Sequence, residues 1–160
     1  MNVDRILSAF NAAGADYILF GGMNFLLRHV PELTFDVDLW VEDSAANLER
    51  VNAALRALGA EWGKTEAAWK PVPETSAWLK EQVVFCLTTR EGAVDIFRDV
   101  RGLEGLYAEC RARAVQARTA GAISFPSLSD GDMLACQLAL DEKDRKHNRI
   151  EVLKKALGSL

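Results

Sequence analysis

A chain of 160 residues, 49% hydrophobic, with a net charge of −4 and a pI near 5.2, is sized for one globular domain that buries about 68–70% of its unfolded surface. The acidic balance gives no global attraction to nucleic acid, so an RNA contact would need a local basic patch. Cys86, Cys110 and Cys136 stand singly, which fits neither zinc-ligand spacing nor a closed disulfide framework, and no apolar run approaches the roughly 20 residues of a membrane span. Reduced, mostly buried thiols in a cytoplasmic protein with no membrane partner are therefore expected, the N-terminus also lacking the basic-then-apolar pattern of a leader.

From Asn2 to Ala13, Val3, Ile6, Leu7 and Phe10 recur at helical spacing and Gly14 suits the stop, giving a packing helix. Ala15 to Phe20 reads as a strand, Gly21-Gly22 as a tight turn, and Met23 to Val30 as a second helix closed by Pro31. That turn sits where a helix N-terminus offers free N–H groups to phosphate, although most Gly-Gly pairs are simply turns. Asn24 is a candidate phosphate donor, or a solvent-facing polar residue.

Thr34 to Val41 reads as the next strand, with Leu39 to Val41 its apolar end. Asp36 and Asp38 project to one side, about 6.6 Å apart at roughly 3.3 Å per residue. At an effective dielectric near 20, their repulsion is on the order of 2.5 kcal/mol, which calls for a cation. Mg²⁺ is the candidate, because it takes oxygen ligands and is held by one or two carboxylates together with substrate phosphates.

Ser44 is the N-cap of a helix to Leu58, with Leu48, Val51 and Leu55 on its apolar face and Gly59 as the stop. Ala60 to Ala77 shows no sustained periodicity. Its Trp62 and Trp69 either present a stacking surface for a base or anchor the loop as partly buried aromatics. Val83 to Thr89 and Ala93 to Phe97 are strands around an Arg90-Glu91-Gly92 turn. Asp95 lies between Val94 and Ile96, where an unpaired carboxylate is costly, so it either meets a cation or points from an edge strand to solvent.

Leu103 to Ala117 reads as a helix whose Arg111 and Arg113, with Arg118 beyond, form a solvated basic end. Ile123 to Phe125 reads as a short strand and Met133 to Leu140 as a helix. Asp130-Gly131-Asp132 repeats the Asp-x-Asp spacing but precedes that helix, so these aspartates read as capping residues. A charged stretch, Asp141 to Arg149, leads to a last helix carrying Ile150, Val152, Leu153 and Leu157.

Phe20-Gly21-Gly22 followed by Asp36-Val37-Asp38 resembles the DNA polymerase beta-like nucleotidyltransferase superfamily. Within it, Thr34 to Val41 is similar to the small bacterial group that includes the nucleotidyltransferase-like toxins of abortive-infection systems. The resemblance implies an α/β (α+β) domain over 1–160, with a core at 1–100 and a helical part at 101–160. A small mixed, mostly antiparallel sheet would carry Asp36, Asp38 and Asp95 on one face and helices on the other.

It also implies transfer of a nucleoside monophosphate from an NTP to RNA, protein or a small molecule, or a place in a toxin–antitoxin pair. One or two Mg²⁺ would be held by Asp36, Asp38 and Asp95, the last matching through Gly92-Ala93-Val94-Asp95-Ile96. Gly21 and Gly22 would cradle the phosphates. Lys143 would meet the triphosphate, with Arg145 and Lys146 beside it, unless the segment is only a charged linker; His147 is a base or a surface histidine.

Three positions depart from that pattern. Gln137 stands where relatives have a lysine, and Glu32 and Asp141 where they have arginines. Such losses agree with weaker NTP binding, another substrate, or a catalytically inactive fold kept as a binding partner.

Overall fold

The computed structural model describes residues 1–158, apart from the Glu66 side chain. Helix α1 is Val3–Ala12, started by the Asn2 side chain accepting the Arg5 N–H at 3.1 Å, and it buries Ile6, Leu7 and Phe10. Strand β1 (Tyr17–Phe20) runs into α2 (Gly21–Arg28), and β2 follows at Asp36–Val41. Helix α3 spans Ala45–Ala57 under the expected Ser44 cap, whose Oγ accepts the Asn47 N–H at 3.2 Å.

Two short strands, β3 (Glu61–Trp62) and β4 (Lys70–Pro71), occupy the segment without periodicity, and a 3-10 turn covers Ser76–Lys80. The hairpin β5 (Val84–Thr89) and β6 (Gly92–Phe97) comes next. The chain then runs through α4 (Tyr107–Ala112), β7 (Val115–Arg118), β8 (Ser124–Ser127), α5 (Asp130–Ala139) and α6 (His147–Gly158).

The eight strands of the described residues join one sheet in the order β4-β3-β5-β6-β2-β1-β8-β7. The sheet is mixed and mostly antiparallel as expected, with β2 beside β6 and β1 beside β8 as its parallel neighbours. Alternation along each strand makes two apolar layers. Tyr17, Leu19, Val37, Leu39, Val94 and Ile96 point to the side covered by α1 and α3. Ile18, Phe20 and Trp40 point the other way, onto a second cluster built with Cys110 of α4, Met133 of α5 and Leu153 of α6.

Helices therefore pack on both faces, not only on the face opposite the aspartates. The aspartate-bearing face is covered over β1 and β8 and left open over β6 and β5. A sheet whose two faces both carry apolar side chains has to be covered twice where they lie, and Ile18, Phe20 and Trp40 demand the second layer.

The largest departure falls in the C-terminal third, which is not purely helical. The helix expected from Leu103 to Ala117 shrinks to α4, because Gly102 and Gly105 adopt positive φ (90° and 73°) and turn the chain before Tyr107. Val115 to Arg118 leave the helix to pair with β8. Arg113 and Arg118 are exposed and Arg111 is half-exposed, as a solvated basic end would be, but Arg111 and Arg113 are also paired, with Asp16 and Asp132 at 2.7 and 2.8 Å. Ser129 caps α5, its Oγ accepting the Asp132 N–H at 3.2 Å and donating to Asp132 Oδ2 at 2.8 Å, while Asp130 pairs with Arg28 at 2.9 Å. Trp62 takes the anchoring role, packed on Trp78 and Phe85 with ring centroids 5.5 and 5.3 Å away.

Candidate functional site

The parallel pairing of β2 with β6 places Asp38 directly beside Asp95 and Asp36 beside Ala93. Because residues two apart share a side, Asp36, Asp38 and Asp95 all project from the same face at the boundary between its covered and open halves. One carboxylate oxygen from each lies within 4.8 Å of the other two. All three side chains are half-buried. A hard divalent cation fits this donor set, being oxygen-only, triply acidic and still reachable from solvent.

Strand β1 delivers the glycine turn to the same place, since Phe20 pairs with Asp38. Gly21 holds φ at +67°, and a Cβ there would lie 2.0 Å from Asp38 Oδ2 and 2.8 Å from its Cγ. Both facts require glycine. A Cβ on Gly22 would press on Thr34 Oγ1 at 2.8 Å and Glu32 Oε1 at 3.2 Å. Helix α2 starts with no side-chain cap, and the Gly22 backbone amide favours the ionised form of Asp38. The N-terminus expected to receive phosphate thus already faces a carboxylate of the site.

The crowding shows in proton affinity. Burial, then repulsion by Asp36 and Asp95, lifts the Asp38 carboxyl to about 7; Arg149 and the Gly22 amide oppose the rise. Burial and Asp36 also raise Asp95, against a hydrogen bond from the Cys86 thiol, whose Sγ lies 3.4 Å from Asp95 Oδ2. Cys86 is itself pushed up to about 11 by burial and by the acidic neighbours, so it stays a neutral thiol. A bound cation would remove the repulsive part of these shifts.

The remaining expected ligands divide. Asn24 is fully buried, with its amide nitrogen against Leu128 O and Met133 Sδ and its oxygen accepting from Ser127 Oγ at 2.6 Å. It ties α2 to β8 and has no donor left for phosphate. Lys143 is exposed on a 3-10 turn at Glu142–Asp144. Its neighbour Arg145 turns inward to the Leu138 and Leu140 carbonyls. His147 is exposed and lies 3.3 Å from Glu142, as a surface histidine would.

The cation that does stand at the site is Arg149, which the charge run had hidden. It is only 8% exposed, sits with its guanidinium carbon 5.3 Å from the centre of the Phe25 ring, and forms a two-pronged ion pair with Glu32. The available signal was position: Arg149 shares the inward face of α6 with Leu153, four residues on, and an arginine in an apolar stripe needs a partner. Of the departing residues, Glu32 is that partner, Asp141 pairs with the exposed Arg101 at 3.1 Å, and Gln137 lines a cavity that Gly21 and Arg149 also border.

No protein-family model and no curated protein matches the chain. Solved structures do. The antibiotic-resistance factor ANT(2'')-Ia superimposes with a TM-score of 0.60 at 14% identity, over 98% of this chain and 81% of that one. ANT(2'')-Ia in complex with adenylyl-2''-tobramycin gives 0.60 at 13% identity, covering 98% and 88%. TM1012 from Thermotoga maritima, a candidate nucleotidyltransferase, gives 0.56 at 16% identity, covering 99% and 91%. At these identities the likeness concerns the fold alone: the mixed sheet with its two helical layers is the fold that these structures share with this chain.

Proposed function

We propose that the protein transfers a nucleoside monophosphate from an NTP to an acceptor hydroxyl, the new oxygen–α-phosphorus bond replacing the one to the departing pyrophosphate, using a divalent cation, Mg²⁺ first among candidates, held by Asp36, Asp38 and Asp95. The observation that supports this most is the meeting of three carboxylates within 4.8 Å, drawn from two strands and faced by a glycine turn. Isolated carboxylates at this density raise one another's proton affinity at a cost that only a cation or a proton offsets. When bound, the cation supplies charge neutralisation and acidifies the attacking hydroxyl.

The chain's own groups do the rest. Asp95 borders the open half of the sheet, where an acceptor has access, and takes up the acceptor proton on its carboxylate. The Cys86 thiol holds Asp95 by a donated hydrogen bond, which favours the ionised form needed for that task. Gly21 keeps the approach to Asp38 free of side-chain atoms. Arg149, and from the solvent side Lys143, supply positive charge for the triphosphate.

The acceptor is the finer part of the proposal. The likeness to a structure holding an adenylylated antibiotic favours a small molecule. The resemblance of Thr34 to Val41 to toxin-like proteins favours RNA or protein instead. Incubation with each α-labelled NTP, Mg²⁺ and total cell lysate identifies which species becomes labelled; labelling that persists in Asp36→Ala would exclude this site.

A second reading, an inactive fold serving as a binding partner, is favoured by the acidic Glu32 closing on the site's arginine. Calorimetric titration with Mg²⁺ and each NTP separates the two. The absence of any NTP binding by the wild type would favour the second.

A further inference from the structure

Between the covered half of the sheet and the helices α5 and α6 lies a cavity of about 170 Å³, walled by Phe20, Phe97, Leu128, Met133 and Leu140. An apolar cavity of roughly 150 Å³ is enough to take one benzene-sized ring. Gly21 borders it, and Gly21 is the residue whose absent Cβ leaves Asp38 Oδ2 uncovered, so the cavity and the acidic cluster share a wall.

One polar side chain on this wall is held in a defined orientation. Gln137 is 6% exposed, and its Oε1 accepts the Lys146 backbone N–H at 2.9 Å. A backbone N–H can meet only an acceptor, which settles the two ends of the amide and leaves Nε2 with two hydrogens and no partner among the described residues. Nε2 is not one of the fully buried atoms that lack a partner, so solvent reaches it, and in a wall that also carries Arg101 and Arg149 its hydrogens are open to a ligand that accepts them. Oε1 is already taken, so the amide can give a hydrogen bond to a ligand in the cavity but has little left to receive one.

We propose that this cavity receives the nucleobase of the donor nucleotide and that Gln137 Nε2 donates to an acceptor on the base edge, a ring nitrogen or a carbonyl. The ribose and phosphates then pass over Gly21 to the carboxylates. An exocyclic amino group at the contacted position is rejected, because two donors would face each other. Gln137 is thus a specificity-determining residue, and the amide standing in place of the expected lysine serves recognition of a neutral ring rather than of phosphate. The inference rests on the nucleotidyl-transfer reading above.

The test is titration calorimetry with Mg²⁺ and, separately, ATP, GTP, CTP, UTP and inorganic tripolyphosphate. The wild type is expected to bind at least one NTP tenfold or more tighter than tripolyphosphate, and to separate the best from the worst base by about tenfold, the scale of one buried hydrogen bond. Gln137→Met removes the amide at similar volume. Gln137→Glu keeps an oxygen for the Lys146 N–H and replaces the donor with an acceptor. Each is expected to lower the ratio of NTP to tripolyphosphate affinity by about tenfold; taking the ratio cancels the added charge of the Glu variant.

Unchanged ratios in both variants would overturn the assignment of Gln137. Wild-type affinity for tripolyphosphate equal to that for every NTP would overturn the nucleobase cavity while leaving metal-dependent triphosphate binding in place. Binding of neither ligand class by the wild type would remove the functional reading and this inference together.

Discussion

The carboxylate of Glu32 and the guanidinium of Arg149 are joined side to side against the glycine turn, although 117 residues separate them in the chain. Glu32 Oε1 lies 3.2 Å from where a Cβ on Gly22 would stand. An acidic side chain therefore occupies the neighbourhood in which a phosphate would meet both the arginine and the helix N-terminus, and it must yield the arginine for a phosphate to bind it.

Glu32→Gln follows directly from this pairing. Breaking a largely buried ion pair from one side leaves Arg149 with an uncompensated charge, so the ligand-free variant is expected to lose about 1–3 kcal/mol of stability. The same variant is expected to bind tripolyphosphate several-fold tighter, since no carboxylate competes. Chemical denaturation and calorimetry on one preparation check both; a variant that is destabilised and also binds more weakly would contradict the competition.

Asp38 predicts a pH dependence with a definite sign. Its proton affinity is raised to about 7 in the folded protein, so the folded chain holds a proton that the unfolded chain releases near pH 4. The associated stability is fully present below pH 4 and is lost as pH rises through 7, where Asp38 ionises against the cost of its burial first and the repulsion of Asp36 and Asp95 second. At pH 8 without metal, Asp38→Asn is expected to be more stable than wild type by a few kcal/mol, on the order of 4 at most. Mg²⁺ or Mn²⁺ is expected to stabilise the wild type far more than the variant. Thermal melts across pH 5 to 8 with and without metal, together with proton release on metal addition near pH 6, measure the effect.

Gly21→Ala forces a side chain into left-handed backbone and against Asp38. The backbone strain alone is expected to cost about 1–3 kcal/mol. Asp38 has to rotate away from the new methyl, so metal-induced stabilisation should fall even where the protein remains folded at 20 °C. Gly14→Ala shares the positive φ and has open space around the new Cβ, so it should lose stability alone and keep the metal response.

Asp95→Asn preserves shape and removes the proton acceptor. Nucleotidyl transfer is expected to fall by about 10²- to 10⁴-fold, the range of a general base, with NTP affinity altered much less. Single-turnover rates set beside equilibrium binding would reveal the split; an equal loss in both would mean that Asp95 serves metal binding alone.

Much of the fold was legible because its signals are local. Ser44, Gly59 and the apolar stripe at Leu48, Val51 and Leu55 define α3 by capping and periodicity, and the apolar runs at Ile18 to Phe20 and Leu39 to Val41 define β1 and the end of β2. Strand context also separated Asp36 and Asp38 from the helix-starting pair Asp130 and Asp132. The segment from Leu103 to Ala117 failed for a non-local reason. Its alanines and arginines favour a helix, but Val115 to Arg118 gain a pairing with β8 that no window of sequence contains.

The sequence by itself determined that two carboxylates would share a face and that a glycine turn would precede them, since both follow from the two-residue repeat of a strand and from what a missing Cβ permits. Only the tertiary structure decided that Asp95 would stand beside Asp38, because register between β2 and β6 is a choice among pairings that alternation leaves open. It alone decided that Arg149 rather than Lys143 would be buried against Glu32, and that Asn24 would spend its amide on β8 and the loop after it. Those outcomes depend on which surfaces close on one another, and charge and spacing along the chain carry no information about that.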